Sequence, residues 1–161
     1  MLVVDGELLD KIYLGLKSQN LTIATAESCT GGLIGHTFTN VSGSSEYFDR
    51  GIISYSNRSK IELLGVSESM LKEHGAVSEE VAKAMADGIR KRSNVAVGIS
   101  TTGVAGPTGG TKEKPVGLVY IAISTEKDTI VKKFIFSGDR LQNKVSACNA
   151  ALNTLLDVLT R

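Results

Sequence analysis

The stretch Leu21-Thr22-Ile23-Ala24-Thr25-Ala26-Glu27-Ser28-Cys29-Thr30-Gly31-Gly32-Leu33-Ile34-Gly35-His36-Thr37-Phe38 decides how this chain is read. Its first part, roughly Leu21 to Ala26, is apolar and β-prone and predicts a strand. Its last part has helical spacing and predicts a helix over Thr30 to Thr39. Between them a hydroxyl and a thiol, Ser28 and Cys29, sit side by side at a strand-to-helix turn. Such a turn carries unpaired backbone N–H groups that point toward incoming negative charge. It can hold an activated nucleophile with an oxyanion site, or a phosphate.

Working outward, the spacing predicts an opening helix over Asp5 to Gln19 and a strand over Gly51 to Tyr55. Three helices follow. Ser59 is placed to cap Lys60–Leu64, Ser67 to cap a short one ended by Gly75, and Ser78 to cap a stronger one with Glu79 and Glu80 in its first turn. Val95 to Ser100 is a near-continuous apolar run, as in a strand buried on both faces. A Gly/Pro-rich loop spans Gly103 to Pro115. Val116–Thr125 and Thr129–Ser137 read as an antiparallel hairpin across a short polar junction, and Asp139–Leu159 as the closing helix. Helices alternate with strands early and a hairpin comes late. The expected fold is therefore α/β, a mixed, mostly parallel sheet with helices on both faces, in one domain over residues 1–161.

Composition narrows the function classes. With 18 basic and 17 acidic residues the net charge is +1, so no overall field draws nucleic acid or a membrane. Aromatic residues are 5% and tryptophan is absent, which argues against a stacking platform for single strands. The N-terminal stretch Met1-Leu2-Val3-Val4-Asp5 lacks a basic leader, and no apolar run approaches the roughly 20 residues of a membrane span. Two cysteines, Cys29 and Cys148, form neither a disulfide framework nor a metal spacing, which fits a reducing cytoplasm. Two histidines without nearby ligands predict no metal site.

Three constellations could carry chemistry. Ser28 is either a nucleophile or a helix cap, and position alone favours the cap. It lies outside a Gly-x-Ser-x-Gly elbow, since Glu27 and Cys29 flank it. Cys29 is the rival nucleophile, but no histidine is evidently placed to serve it. Lys60, just past a strand end, could be a half-desolvated general base in a Ser-Lys pair, or a solvated first-turn lysine. Tyr55 could orient that base or bind substrate, or finish the core. The third is Thr101-Thr102-Gly103-Val104-Ala105-Gly106-Pro107-Thr108-Gly109-Gly110, which follows a buried strand where open α/β sheets place ligands, with glycines that permit close backbone approach. Arg140 could clamp a phosphate or carboxylate. A literal Ser69-x-x-Lys72 lacks the partner motifs of β-lactamases and reads as a chance match.

Thr25–Gly32, Gly43–Ser45, Arg50–Asn57, His74–Ser78, Thr102–Pro107, Lys114–Gly117 and Phe136–Arg140, in that order along nearly the whole chain, resemble the CinA C-terminal domain family. Each stretch is weak alone; the ordered set is specific. The resemblance implies a three-layer α/β/α domain that acts as an amidohydrolase. Nicotinamide mononucleotide would be converted to nicotinic acid mononucleotide and ammonia, in pyridine nucleotide salvage, with no cofactor or metal. It also implies a serine–lysine pair at Ser28 and Lys60, and site positions at Tyr55, Thr102 and Arg140. Cys29, Thr30 and Gly31 would offer backbone N–H groups to an oxyanion, and Gly103, Gly106 and Gly109 would lie along the ribose phosphate. A homo-oligomer is expected, with no direct nucleic-acid or membrane partner. Longer family members carry a separate N-terminal pyrophosphatase-like domain, whose activity is not expected here. Two other readings are a competence- or damage-associated binding module without turnover, and an amidase for a related pyridine nucleotide or nucleoside.

Overall fold

The computed structural model describes residues 4–161; the first three residues of the N-terminal stretch read above lie outside them. In chain order the elements are α1 (Gly6–Ser18), β1 (Ile23–Glu27), α2 (Leu33–Thr39), a 3₁₀ turn (Ser44–Glu46), β2 (Phe48–Ile53), α3 (Asn57–Leu64), α4 (Glu68–His74), α5 (Glu79–Ser93), β3 (Val97–Gly103), β4 (Leu118–Ser124), β5 (Thr129–Ile135) and α6 (Arg140–Leu159). The strands form one five-stranded sheet in the order β2-β1-β3-β4-β5. β1 pairs in parallel with both β2 and β3. β4 runs antiparallel to β3, and β5 antiparallel to β4. β5 therefore returns to the direction of the first three strands. The sheet is mixed and mostly parallel, and the late hairpin is antiparallel, as the sequence predicts. Among the described residues no helix is long and apolar enough to cross a membrane.

The helix starts follow from side chains that accept the first unpaired N–H groups. Asp5, Ser67 and Ser78 accept from Glu7, Met70 and Val81. Asp139 forms a full capping box with Gln142. Among the boundaries that differ from the sequence reading, three bear on the site. The third helix is capped by Ser56, which accepts from the Ser59 N–H, so Lys60 is its fourth residue rather than its first. The second helix begins at Leu33, because Gly31 and Gly32 take positive φ and hold residues 30–32 in a turn. β2 begins at Phe48 and ends before Ser54. Its polar start, Asp49-Arg50, lies on the exposed edge of the sheet, where charge is the usual guard against further pairing.

Strand alternation assigns the two faces. Ile23, Val97, Ile99, Val119, Ile121 and Ile123 point into a core built with α1, α2 and α6. Ala24 and Ala26 point the other way, toward Val81, Met85 and Ile89 of α5 and Leu64 of α3. On that second face the side chains are small: Ala24, Ala26, Gly98, Ser100, Ala122. α5 answers with Ala82 and Ala86, and Ser100 Oγ donates to Ala82 O at 2.6 Å. A Cβ at Gly98 would run into the Ala86 carbonyl oxygen, and one at Gly88 into the Leu64 carbonyl oxygen. Backbone here lies against backbone, which brings α3 and α5 down onto the sheet.

Gly88→Ala tests this. On an exposed helix the change would add up to about 1 kcal/mol of stability. Here urea denaturation should show a loss of about 1–3 kcal/mol, the usual cost of overpacking.

Candidate active site

Ser28 continues β1 by one residue past the ladder. Its N–H donates to Thr101 O of β3 at 3.0 Å, and the preceding carbonyl, of Glu27, accepts from Ser54 N at 2.8 Å. The backbone is thus fixed from both neighbouring strands. By alternation Ser28 shares the face of Ala24 and Ala26, the α3–α5 side. The side chain does not cap α2, whose N-cap is Gly32 with no side-chain bond. The capping role, the more favoured by position alone, is not what the structure shows.

Lys60 comes up from α3 on that same side. Its Nζ lies 3.2 Å from Ser28 Oγ, 2.8 Å from Ser54 O and 3.4 Å from Tyr55 O. The residue is 1% exposed, so the solvated-lysine reading fails. No carboxylate bonds to it among the described residues. Burial therefore pushes the amine below its ordinary 10.5, with the Cys29 thiol acting weakly in the opposite direction. In the neutral amine the two N–H bonds must go to the two carbonyls, which can only accept. The lone pair is then left for the Ser28 hydroxyl, which donates.

The turn is held from beneath by Glu27, 1% exposed. Its Oε1 accepts from Thr30 Oγ1 at 2.6 Å and from Ile34 N at 2.9 Å, and its Oε2 from Gly35 N at 3.0 Å. Thr30 Oγ1 also meets Thr101 Oγ1 at 2.8 Å. The Gly31 N–H is spent on Ser28 O at 3.1 Å. The N–H groups of Cys29, Thr30 and Gly32 have no acceptor among the described residues. Cys29 is buried, and that burial pushes its thiol up to about 12, so no thiolate is available at neutral pH.

The remaining positions gather around the same strand ends. The Tyr55 side chain is exposed, and only its backbone carbonyl faces Lys60. Its hydroxyl accepts from Arg140 Nη2 at 3.0 Å, while Arg140 Nη1 donates to Gly106 O at 2.6 Å. Thr102 Oγ1 donates to Ala76 O at 2.8 Å, tying β3 to the segment between α4 and α5. Gly103 is the last residue of β3, where a Cβ would press on Leu118 O at 2.6 Å. Gly106 and Gly109 both take φ near +88°, and Gly109 is exposed. Ser69 and Lys72 lie on exposed α4, with Lys72 paired to Glu68 at 3.2 Å, apart from these residues.

Sequence reasoning passed over Glu27, Ser54, Asn143 and Lys144. Asn143, 1% exposed, donates to Ala105 O and accepts from Gly138 N, each at 3.0 Å, and so pins the glycine loop to α6. An amide at the start of the mostly apolar stripe of α6 was the available signal. Lys144 lies against Gly31 at the edge of a cleft of about 340 Å³.

Residues 5–159 match the family model described as the CinA C-terminal domain. The chain belongs to the CinA C-terminal domain family. It is 52% identical over 153 residues to a putative competence-damage inducible protein of Caldicellulosiruptor bescii, covering 94% of this chain and 37% of that protein. A 50% identical CinA-like protein of Geotalea daltonii is covered to the same 37%. The chain thus spans little more than a third of the length of these curated relatives. Among solved structures, a competence/damage inducible protein from Agrobacterium tumefaciens superimposes with a TM-score of 0.92 at 34% identity, over 100% of both chains. A competence damage-inducible protein A from Klebsiella pneumoniae gives 0.93 at 30% identity, over 96% of each.

The buried CinA-family lysine has a signature in stability. Because the folded amine titrates below 10.5, the unfolded chain holds more protons between the folded value and 10.5. The penalty is full below that window and gone above it, so stability rises with pH across it. Denaturation curves should show wild type gaining on Lys60→Met as pH is raised toward 10.5.

Proposed function

We propose that this CinA-family chain is an amidohydrolase that converts nicotinamide mononucleotide to nicotinic acid mononucleotide and ammonia. The observation that carries the reading is the buried contact of 3.2 Å between Lys60 Nζ and Ser28 Oγ. A lysine without a counter-charge, oriented by two carbonyls and held below its ordinary 10.5 by burial, is suited to accept a proton from the serine. The substrate is assigned from the resemblance of the sequence to the family.

In the first step neutral Lys60 takes the Ser28 proton as Oγ bonds to the carboxamide carbon. The negative charge that develops on the carboxamide oxygen is met by the unspent N–H groups of Cys29 and Thr30; Gly31, already bonded to Ser28 O, is not a donor. Lys60 then returns its proton to the leaving nitrogen, the C–N bond breaks and ammonia departs. Water, losing a proton to Lys60, attacks the acyl carbon; Lys60 passes that proton to Ser28 Oγ as the acyl C–O bond breaks, which releases the acid and restores both residues. Arg140, already bonded to Tyr55 and Gly106, closes one wall of the site.

Ammonia release from nicotinamide mononucleotide by the purified chain tests this. Ser28→Ala should lower kcat at least about a thousandfold with the fold intact. Lys60→Arg should fail to rescue, since a guanidinium stays protonated. Activity of wild type should fall on acidification through a value below 10.5, as Lys60 takes up its proton. Normal turnover by Ser28→Ala refutes the assignment. Binding of the nucleotide without ammonia release by wild type favours a binding module instead.

A further inference from the structure

Two lysines approach the turn that carries Ser28, one from each helical layer. Lys60 rises from the α3–α5 side and is consumed by the Ser28 contact. Lys144 comes from α6, on the opposite side of the sheet, and bonds to no acceptor among the described residues. Its Nζ would lie 3.4 Å from a Cβ built on Gly31, so the ammonium stands directly over the turn. α6 carries Arg140 one turn earlier, on the same helical face. Arg140 is held by Gly106 O and Tyr55 Oη, whereas Lys144 is not held.

The space beside Lys144 is a cleft of about 340 Å³, lined also by Gly31, Gly32, Leu33, His36 and Leu141. Its volume lies at the small end of ligand sites, about 300–1,000 Å³. Gly31 and Gly32 have φ of +60° and +98°. These angles are open only to glycine at low cost, and the Gly32 N–H has no internal acceptor among the described residues. Glu27, the carboxylate under the turn, makes no bond to the ammonium; both its oxygens are filled by Thr30, Ile34 and Gly35. A cation without an internal partner, the unspent Gly32 N–H and a cleft beside them form a receptor for a compact anionic group.

We propose that Lys144 is the residue that recognises the phosphate monoester of the substrate, and so sets the preference for nucleotide over nucleoside. The inference rests on the amidohydrolase reading for its substrate. It moves the phosphate from the Gly103–Gly109 loop, whose Ala105 and Gly106 carbonyls are tied to α6, to the cleft on the other side of the Ser28 turn. Lys144 makes no bond that holds the fold, and its stem is only half-buried, so Lys144→Met keeps the packing and removes the charge.

Steady-state kinetics on the full chain, with nicotinamide mononucleotide and nicotinamide riboside, form one arm of the test. Lys144→Met should raise KM for the nucleotide about 10- to 100-fold, the loss of one charged hydrogen bond, with kcat within about threefold. The riboside should be unaffected, and Lys144→Arg should restore the nucleotide. The second arm does not need turnover. Ribose 5-phosphate should shift the Gly31 and Gly32 amide resonances of wild type, and not those of Lys144→Met. If wild type is active and Lys144→Met keeps its KM, or loses nucleotide and riboside alike, the inference is overturned while the amidohydrolase reading stands. If wild type releases no ammonia, that reading fails. The ribose 5-phosphate titration then decides alone: shifts abolished in Lys144→Met support a phosphate site, and their absence in wild type overturns it.

Discussion

The carboxylate of Glu27 is the knot on which the site depends. Its backbone carbonyl receives Ser54, and its side chain receives one hydroxyl and two helix N–H groups. β1, the run after β2, the turn and α2 are thereby joined at one residue. A buried carboxylate without a lysine or arginine partner is expensive unless its oxygens are filled, and here three donors fill them. α2 has no side-chain cap of its own, so Glu27 supplies from below what Gly32 cannot. With residue 27 committed to one face, alternation turns residue 28 to the other.

On that other face the absence of side-chain bulk decides the geometry. Alanine, serine and glycine line the sheet under α5, so α5 and α3 settle close against it. Lys60 is drawn under cover as a consequence. No anion among the described residues answers its charge there, and desolvation favours the neutral amine. The arrangement sacrifices stability below the titration of Lys60 for a base that is ready at the serine. The second layer does the reverse: its large aliphatic residues build the main core and leave charged groups such as Lys144 at the rim.

Much of this was legible in the sequence, for identifiable reasons. Ser67, Ser78 and Asp139 announce helix starts because capping is local chemistry. The hairpin and the buried central strand follow from alternation and from an apolar run. The edge strand was placed late because Asp49 and Arg50 look like a loop until the sheet order shows that they face solvent. β3 runs on through Thr101 and Thr102, past the apolar run that ends at Ser100, because their hydroxyls are satisfied by Thr30 and Ala76, partners far away in sequence. Ser28 and Lys60 were named as candidates, but their contact belongs to packing across 32 positions. Glu27 and Lys144 gave no local sign, since what distinguishes them is which face of a strand or helix meets which neighbour.

The fork of Arg140 has a mechanical meaning. One side chain at the first turn of α6 holds the carbonyl of Gly106 and the hydroxyl of Tyr55, which belong to segments on either side of the serine. Neither segment can swing outward alone without breaking a bond to the same guanidinium. Fraying of the α6 start would therefore release both at once. The two walls of the site are thus coupled through one side chain at a helix start that the Asp139–Gln142 capping box fixes.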